Sequence, residues 1–382
     1  MVELRIFDPP VADSPQFVAR GRATAATDIT LVERLYTPGY FTASIPAQAR
    51  HADQLREGRL LLADGAFWGI VDAVSAKADA SGDVLTVTGR QLKGLTQDRV
   101  TIPPGTTAVT GAQGYDTVNG STETCVKHFV DGNLGPGAAA ARQVFGLELA
   151  GDRGRGVADD KYMSRHQPLA DVLSALGEAS GLGYDIVPDL ARHKLVFDVV
   201  EGEDHTGGQS ERVRVVFSLA RKTALSQEYQ HSGADAKNLF YTTMDGSEFA
   251  DETLTVTYTR DGEAEPVGIR RKETHLALSA DTPTAGDEYN ELRRLAMIQA
   301  EELRPAESFT CEIPAAGRYL YRRDYGLGDR VTVQNLTWGV SMDARLTEMQ
   351  SRYSAQGVSL TATFGKAPLN IFGRIERQIK GA

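Results

Sequence analysis

The sequence is poor in the residues that build covalent frameworks, metal sites and membrane spans. Its 382 residues include two cysteines, Cys125 and Cys311, which are too few for a disulfide framework or a zinc site. No apolar run approaches the roughly 18 residues that a membrane helix requires. Residues 1–10 alternate like a strand and lack the basic and apolar regions of a secretory signal. We therefore expect no membrane span, no export by the standard route, and no metal or other cofactor.

Positive charge is also scarce. Lysine and arginine number 41 against 51 aspartates and glutamates, which leaves a net charge of −10. Nucleic-acid binders gain affinity from basic side chains that neutralise phosphates, so this balance argues against that class. An acidic surface would still suit a protein that DNA must pass without sticking. The rest of the composition, 41% hydrophobic and 24% charged, is typical of a globular chain long enough for several modest domains.

Motifs of known catalytic sites are missing as well. The seven histidines form no ligand pair, and the sequence contains no G-x-S-x-G. Residues 151–162 mix arginine, aspartate and glycine but match no phosphate-binding motif, and an exposed loop is the simpler interpretation. Residues 201–209 combine acids with a histidine but lack the spacing of a calcium loop. We therefore predict no catalytic, cofactor-binding or metal-binding residues and no enzymatic activity.

Two segments of the chain repeat the same features in the same order. Each begins with Phe-Thr-x-x-Ile-Pro-Ala. In each, a glycine lies ten residues before one of the chain's two tryptophans, and another glycine directly follows that tryptophan. Further on, residues 82–94 resemble residues 357–369. The landmarks are Phe41, Pro46, Gly58 and Trp68 in the first copy and Phe309, Pro314, Gly328 and Trp338 in the second. This repetition predicts an internal duplication.

The landmarks suit an antiparallel β structure. Phe-Thr-x-x-Ile alternates between two faces as a half-buried strand does, and the proline ends that strand because it cannot donate a ladder hydrogen bond. The glycine before the next strand suits a turn with positive φ. We expect both tryptophans to lie in equivalent strands and to pack there rather than bind a ligand. Each copy thus predicts a small barrel or sandwich of about five or six strands.

The intervening residues differ in character and set the predicted domain organisation. Apolar residues with helical spacing around residues 169–176 predict a helix in an α+β region. The front of the second copy is expected among residues 212–221, 237–246 and 252–262. The fold class is therefore mixed β and α+β, with two similar antiparallel β-barrel or sandwich domains. The predicted parts are a first β domain at 1–100, an α+β insert at 101–207, a second β domain at 208–275 and 306–369, a helical insertion at 276–305 and a C-terminal tail at 370–382.

This order of parts resembles the hub proteins of phage tail tips and baseplates. That family includes the central hub of contractile tails and the N-terminal region of siphophage tail-associated proteins. The resemblance covers nearly the full chain, and its motifs are structural. The segments that carry it are LYTPGYFTASIPA, VTGRQLKGL, TCVKHFVDGNLGPG, QPLADVLSALGEASGLGYDIV, KLVFDVVEG and ESFTCEIPA.

The resemblance implies a structural role in the virion tail, at the tail tip or baseplate, after synthesis in the host cytoplasm. Family members are homotrimers, and two similar tube domains in each subunit give a pseudo-sixfold ring. The implied partners are the distal tail protein or tail tube, the tape measure protein, and tail fibre or tip proteins. DNA is expected to pass through the lumen without specific binding. Because many relatives carry a long C-terminal extension and this chain ends soon after the second copy, lytic activity is not expected.

Two functions from other classes stay open at this point. A receptor- or carbohydrate-binding tail protein would need exposed aromatic platforms, and the loops at 100–120 and 132–160 contain only Tyr115 and Phe145. A cell-wall hydrolase domain of a tail-associated lysin would need a polar cluster facing a cleft in the α+β region. A glycan array would test the first alternative, and zymography on cell walls would test the second.

Overall fold

The chain packs into two compact units. Unit 1 comprises Met1–Gln227 and Thr310–Phe364, and unit 2 comprises Glu228–Phe309 and Gly365–Ala382. The computed structural model describes residues 2–80, 82–104, 115–158, 160–245, 254–259, 264–279, 293, 296–297, 300 and 303–366. Within these residues the chain is mostly β, and no helix is long and apolar enough to cross a membrane.

The first half of unit 1 is an antiparallel sheet of seven strands. They are β1 (Leu4–Asp8), β2 (Val18–Ala23), β3 (Asp28–Arg34), β4 (Tyr40–Pro46), β5 (Leu60–Ala63), β6 (Phe67–Asp79) and β7 (Gly82–Gln91). Their order in the sheet is β3-β4-β7-β6-β5-β1-β2. Alternate residues of β4 are buried, as its sequence predicts, and the Phe41 and Phe67 rings meet edge to face at 6.1 Å. This alternation places one hydrophobic core on a single face of the sheet.

The region between the two copies combines helices and short strands, as predicted. Its elements are β8 (Asp116–Gly120), α1 (Thr122–Asn133), β9 (Leu147–Leu149), β10 (Asp160–Ser164), α2 (Leu169–Ser180), β11 (Gly183–Asp189) and β12 (Lys194–Val200). Helix α1 begins at Ser121, whose hydroxyl accepts a hydrogen bond from the Thr124 amide. Helix α2 ends at Gly181, which adopts the left-handed conformation at φ 78°. Both helix ends are therefore encoded locally.

The strands of the second copy continue the same sheet, and we call them its second half and β1–β7 its first half. They are β13 (Val216–Phe217), β14 (Ser226–Ser232), β18 (Ala306–Ile313), β19 (Arg330–Asn335), β20 (Val340–Ser354) and β21 (Gly357–Gly365). The order is β14-β18-β21-β20, β19 also pairs with β20, and β20 pairs with β3. Because β14 and β2 lie at opposite ends of this strand order and do not pair with each other, no barrel closes among the described strands. The barrel alternative is therefore wrong, and the described strands form an open sheet that is antiparallel except where β13 pairs in parallel with β19.

Unit 2 contains a separate sheet of three strands. These are β15 (Leu239–Asp245), β16 (Leu254–Tyr258) and β17 (Glu273–Ser279), in the order β16-β15-β17. Residues 239–245 and 254–258, which lie within the segments 237–246 and 252–262 expected at the front of the second copy, belong to this sheet instead. Ala296 and Ala300, four positions apart and both helical, are buried against Phe240.

The predicted helical insertion begins too early at residue 276, because β17 extends through Ser279 and pairs in parallel with β15. Residues 280–292, most of 294–302, and the predicted tail at 370–382 lie outside the described residues. The other predicted domain boundaries stay predictions.

Candidate assembly site

The two glycine landmarks occupy matching positions in the two halves of the sheet. Gly58 and Gly328 both have positive φ, at 79° and 96°. Each amide donates a hydrogen bond of 2.9 Å to a carbonyl of the long central strand, Val71 in β6 and Leu346 in β20. Directly after that residue, the pairing register of each central strand shifts at a bulge. This geometry aligns Val71 of β6 with Leu346 of β20.

The Phe-Thr-x-x-Ile-Pro-Ala landmarks also match. Phe41 in β4 and Phe309 in β18 are both fully buried. Pro46 is the last residue of β4, and Pro314 directly follows β18. Each motif therefore forms a strand that ends at its proline or directly before it, because proline cannot donate a ladder hydrogen bond.

The two tryptophans do not correspond. Trp68 lies in β6 opposite Leu62, is 8% exposed, and its ring is 5.4 Å from that of Phe7. Trp338 lies in the turn between β19 and β20 and is 49% exposed. Strand β19 has six residues where β5 has four, so ten steps from the glycine reach the turn rather than the next strand. The expectation that both tryptophans pack in equivalent strands is wrong for Trp338.

This difference predicts unequal costs for the same substitution. Trp68→Ala removes a large buried ring and is expected to lower the free energy of unfolding by about 3 kcal/mol or more. Trp338→Ala is expected to change it by less than about 0.5 kcal/mol, since its ring is half exposed. Urea denaturation followed by circular dichroism measures both. Equal losses would contradict the placement of the two rings.

A main-chain ladder between β3 and β20 joins the first half of the sheet to the second. Six pairs of residues lie directly opposite, from Glu348 and Arg34 at one end to Tyr353 and Ile29 at the other. An ion pair borders each end of the ladder. The Arg34 Nε donates a hydrogen bond of 2.6 Å to a Glu348 carboxylate oxygen. A terminal guanidinium nitrogen of Arg352 donates one of 2.8 Å to an Asp28 carboxylate oxygen. The two halves therefore meet edge to edge through antiparallel strands.

Side chains from the loop before β19 brace the same junction. One terminal guanidinium nitrogen of Arg322 donates a hydrogen bond to Glu33 at 2.8 Å, and the other donates one to Asp64 at 3.1 Å. The Tyr321 hydroxyl also donates to Glu33, at 3.2 Å, and burial holds the pKa of this tyrosine well above its usual range. These contacts link the second half to strand β3 and to the β5–β6 turn.

The buried charges of the α+β region form a second cluster. Glu123 on α1 is fully buried and accepts hydrogen bonds from Lys127 at 2.6 Å and from the Arg155 side chain at 2.8 and 2.9 Å. Arg155 also donates to Asp198 at 2.7 Å. The sequence assigned residues 151–162 to an exposed loop and missed this role of Arg155. The i, i+4 spacing of Glu123 and Lys127 on one helix indicates their own ion pair, but no local signal points to Arg155.

The acid and histidine cluster at 201–209 also holds loops together. The Asp329 carboxylate accepts hydrogen bonds from the backbone amides of Glu203 and Gly326, both at 2.7 Å. His205 contacts the Val213 carbonyl at 2.9 Å. Among the described residues, no group of three or more histidine, cysteine, aspartate or glutamate side chains is arranged to hold a metal ion. Burial also raises the pKa of the Cys311 thiol to about 12, which leaves it protonated and unreactive.

Comparisons with known proteins give consistent results. The family model described as "Siphovirus ReqiPepy6 Gp37-like protein" matches residues 3–366. The tail protein from Neisseria meningitidis MC58 is 13% identical with a TM-score of 0.54, and the match covers 96% of both chains. The 43 kDa tail protein of prophage MuSo2 from Shewanella oneidensis is 12% identical with a TM-score of 0.53, over 95% of this chain and 98% of that one.

A third solved structure, prophage tail protein gp18 from Listeria monocytogenes EGD-e, is also similar. It is 13% identical with a TM-score of 0.52, and the match covers 99% of this chain and 98% of that chain. At such low identities these likenesses establish a shared fold. No curated protein matches the sequence.

Proposed function

The chain belongs to the family of Siphovirus ReqiPepy6 Gp37-like proteins and is a phage tail protein, and on this premise we propose that it is the structural hub of the tail tip or baseplate. Three copies would form a ring in which each contributes two related β halves. The ring would present six similar halves to a sixfold tail tube or distal tail ring. Its other side would present threefold symmetry to tip or fibre proteins.

The observation that carries this proposal is the matching geometry within one chain. The two halves share the buried phenylalanine motif, the positive-φ glycine and the bulge on the long central strand. Strand pairing agrees as well, since β4-β7-β6-β5 in the first half corresponds to β18-β21-β20-β19 in the second. We infer that the halves are copies of one structure. A duplicated half in a trimer reconciles a sixfold neighbour with a threefold one.

The remaining parts of the proposal follow from the same ring. DNA would pass through its lumen, and the net charge of −10 supports passage without binding. The distal tail protein or tail tube, the tape measure protein and a tip protein would be its neighbours. The chain would act as a structural component of the virion and not as an enzyme. Cleared zones in a cell-wall zymogram of the purified protein would contradict that last point.

Light scattering of the purified chain tests the ring directly. The expected mass is three times 41.3 kDa, and negative-stain electron micrographs should show threefold particles with a central hole. Dilution provides the control, because a specific trimer dissociates to a single smaller species. A monomer at every concentration, with no ring on the micrographs, would overturn the proposed trimer.

A further inference from the structure

The central strand of the first half extends beyond its neighbour on one side. Strand β6 spans Phe67–Asp79, but β5 pairs with it only at residues 67–70. On that side, residues 73–78 have no partner strand within the described part of the chain. All six residues are exposed, and Val74 is 40% exposed. A long uncovered strand edge of this kind is a site at which another strand can pair.

The matching section of the second half is covered. Starting from the aligned residues Val71 and Leu346, β6 and β20 both run eight residues to the ends of their hairpins at Asp79 and Ser354. Residues 73–78 therefore correspond to residues 348–353, which pair with β3. Met349 is fully buried there, whereas its counterpart Val74 is exposed. Strand β6 thus lacks the neighbour that β20 has.

Strand β14 is the counterpart of that neighbour. Both β3 and β14 have seven residues. The residue before each strand, Thr27 or Leu225, donates its amide at 2.8 Å to the fourth residue of the Phe-Thr-x-x-Ile-Pro-Ala motif, Ser44 or Glu312. Strand β3 lies between β4 and β20, but β14 is the last strand of its sheet and, among the described strands, pairs only with β18. The second half therefore ends in an uncovered strand edge at β14, whereas the corresponding edge of the first half, on β3, is covered by β20.

We propose that residues 73–78 of β6 pair with residues 227–232 of β14 from a second copy of this chain, repeating between copies the antiparallel ladder of β20 and β3. This inference rests on the proposed ring and names its interface. The occupant is a second copy because the internal junction shows that edges of these two types fit each other. The two edges are different surfaces, so the contact is head-to-tail and generates a closed ring when the rotation allows.

The internal ladder also fixes the register of the proposed one. Since Glu348 lies opposite Arg34 in the internal ladder, Ala73 would lie opposite Ser232. Four residues further along β6, Lys77 would then lie opposite Glu228. Opposite charges facing across an antiparallel pair stabilise it, and this register places no like charges opposite each other. The charges therefore agree with a register that was derived from backbone alignment alone.

We call the proposed contact between residues 73–78 of one copy and residues 227–232 of the next the seam. Disulfide crosslinking tests the seam residue by residue. The hydrogen bond from the Leu35 amide to the Thr347 carbonyl fixes the alternation of the internal ladder, in which residues 32 and 350 form a non-hydrogen-bonded pair. Such pairs bring Cα atoms to about 4.5 Å, a spacing that a disulfide can bridge. Their counterparts are Gln230 and Ser75. The double variant Ser75→Cys, Gln230→Cys should form disulfide-linked oligomers of up to three chains on a non-reducing gel.

A one-residue shift provides the matched control. In Ser75→Cys, His231→Cys the two thiols would face opposite sides of the seam, so no crosslink is expected. Wild type should also stay uncrosslinked, because Cys125 and Cys311 are buried. Circular dichroism verifies that each variant is folded, which these exposed positions should allow.

The outcomes separate the seam from the ring. A trimer by light scattering that does not crosslink through residues 75 and 230, or that crosslinks equally through 75 and 231, overturns the seam and leaves the ring. Crosslinked chains that continue past three support the seam and overturn threefold closure. Monomers that form no crosslink overturn both.

Discussion

Replacing Lys93 with methionine is expected to lower the free energy of unfolding by about 3–5 kcal/mol. This lysine is 1% exposed, and its ammonium donates to the carbonyls of Arg34, Leu35 and Tyr184, the latter two at 3.0 Å. Burial lowers its pKa to about 8, while Asp185 and Glu33 act in the opposite direction, so the group is charged at neutral pH. Methionine fills a similar volume but leaves three buried carbonyls without their donor.

Urea denaturation at neutral pH measures this loss. Lys194→Met, on the exposed side of β12, makes the same chemical change and should shift the free energy of unfolding by less than about 0.5 kcal/mol. A Lys93→Met protein as stable as wild type would show that the three carbonyls find other donors. Because the carbonyls belong to the last residue of β3, the residue directly after it, and β11, the loss would report on the connection between the first half of the sheet and the α+β region.

Local signals in the sequence were sufficient for several features of the fold. The alternation in Phe-Thr-x-x-Ile and the proline that follows identified β4 and β18. Gly58 and Gly328 were identified because only glycine readily adopts the positive φ that each junction requires. These features depend on a few neighbouring residues, so their physical cause is visible in the chain itself.

Other features depend on contacts that no local pattern encodes. Strand β14 reads SQEYQHS and has no aliphatic residue, whereas its counterpart β3 reads DITLVER. A strand with an open edge needs fewer apolar residues, so it carried little hydrophobic signal. The spacing of Trp338 matched that of Trp68 by coincidence, because the longer second hairpin moves it into a turn. The junction of β3 with β20 joins residues over 300 positions apart, as Arg34 and Glu348 show.

The buried charge cluster was missed for a related reason. Glu123 and Arg155 lie 32 positions apart, and Asp198 lies 43 positions beyond Arg155. Sequence motifs for ion networks are weak, since any acid can meet any base once the fold brings them together. Only the structure shows that two acids and two bases balance each other, with Glu123 fully buried among them.

Replacing Glu123 with glutamine is expected to cost about 3–5 kcal/mol at neutral pH, because it leaves the charges of Lys127 and Arg155 with one acid instead of two. Burial alone would raise the pKa of Glu123, but the hydrogen bonds from Arg155 and Lys127 outweigh it and hold the pKa well below its usual value of 4.5. A carboxyl group with a lowered folded-state pKa contributes stability that is fully present above the unfolded-state pKa. That contribution is lost as the pH falls below about 4.5 towards the folded-state value.

The pH dependence distinguishes this electrostatic cost from a simple packing defect. Unfolding free energies measured between pH 3 and pH 7 should fall more steeply with acid in wild type than in Glu123→Gln, so that the two converge at low pH. Glu148→Gln serves as the control, since Glu148 is partly exposed, its partner Arg192 is exposed, and their ion pair should contribute less than about 1 kcal/mol. A constant gap between wild type and Glu123→Gln at every pH would mean that the glutamine is misfitted sterically. It would also mean that the lowered pKa of Glu123 adds nothing to the stability of the α+β region.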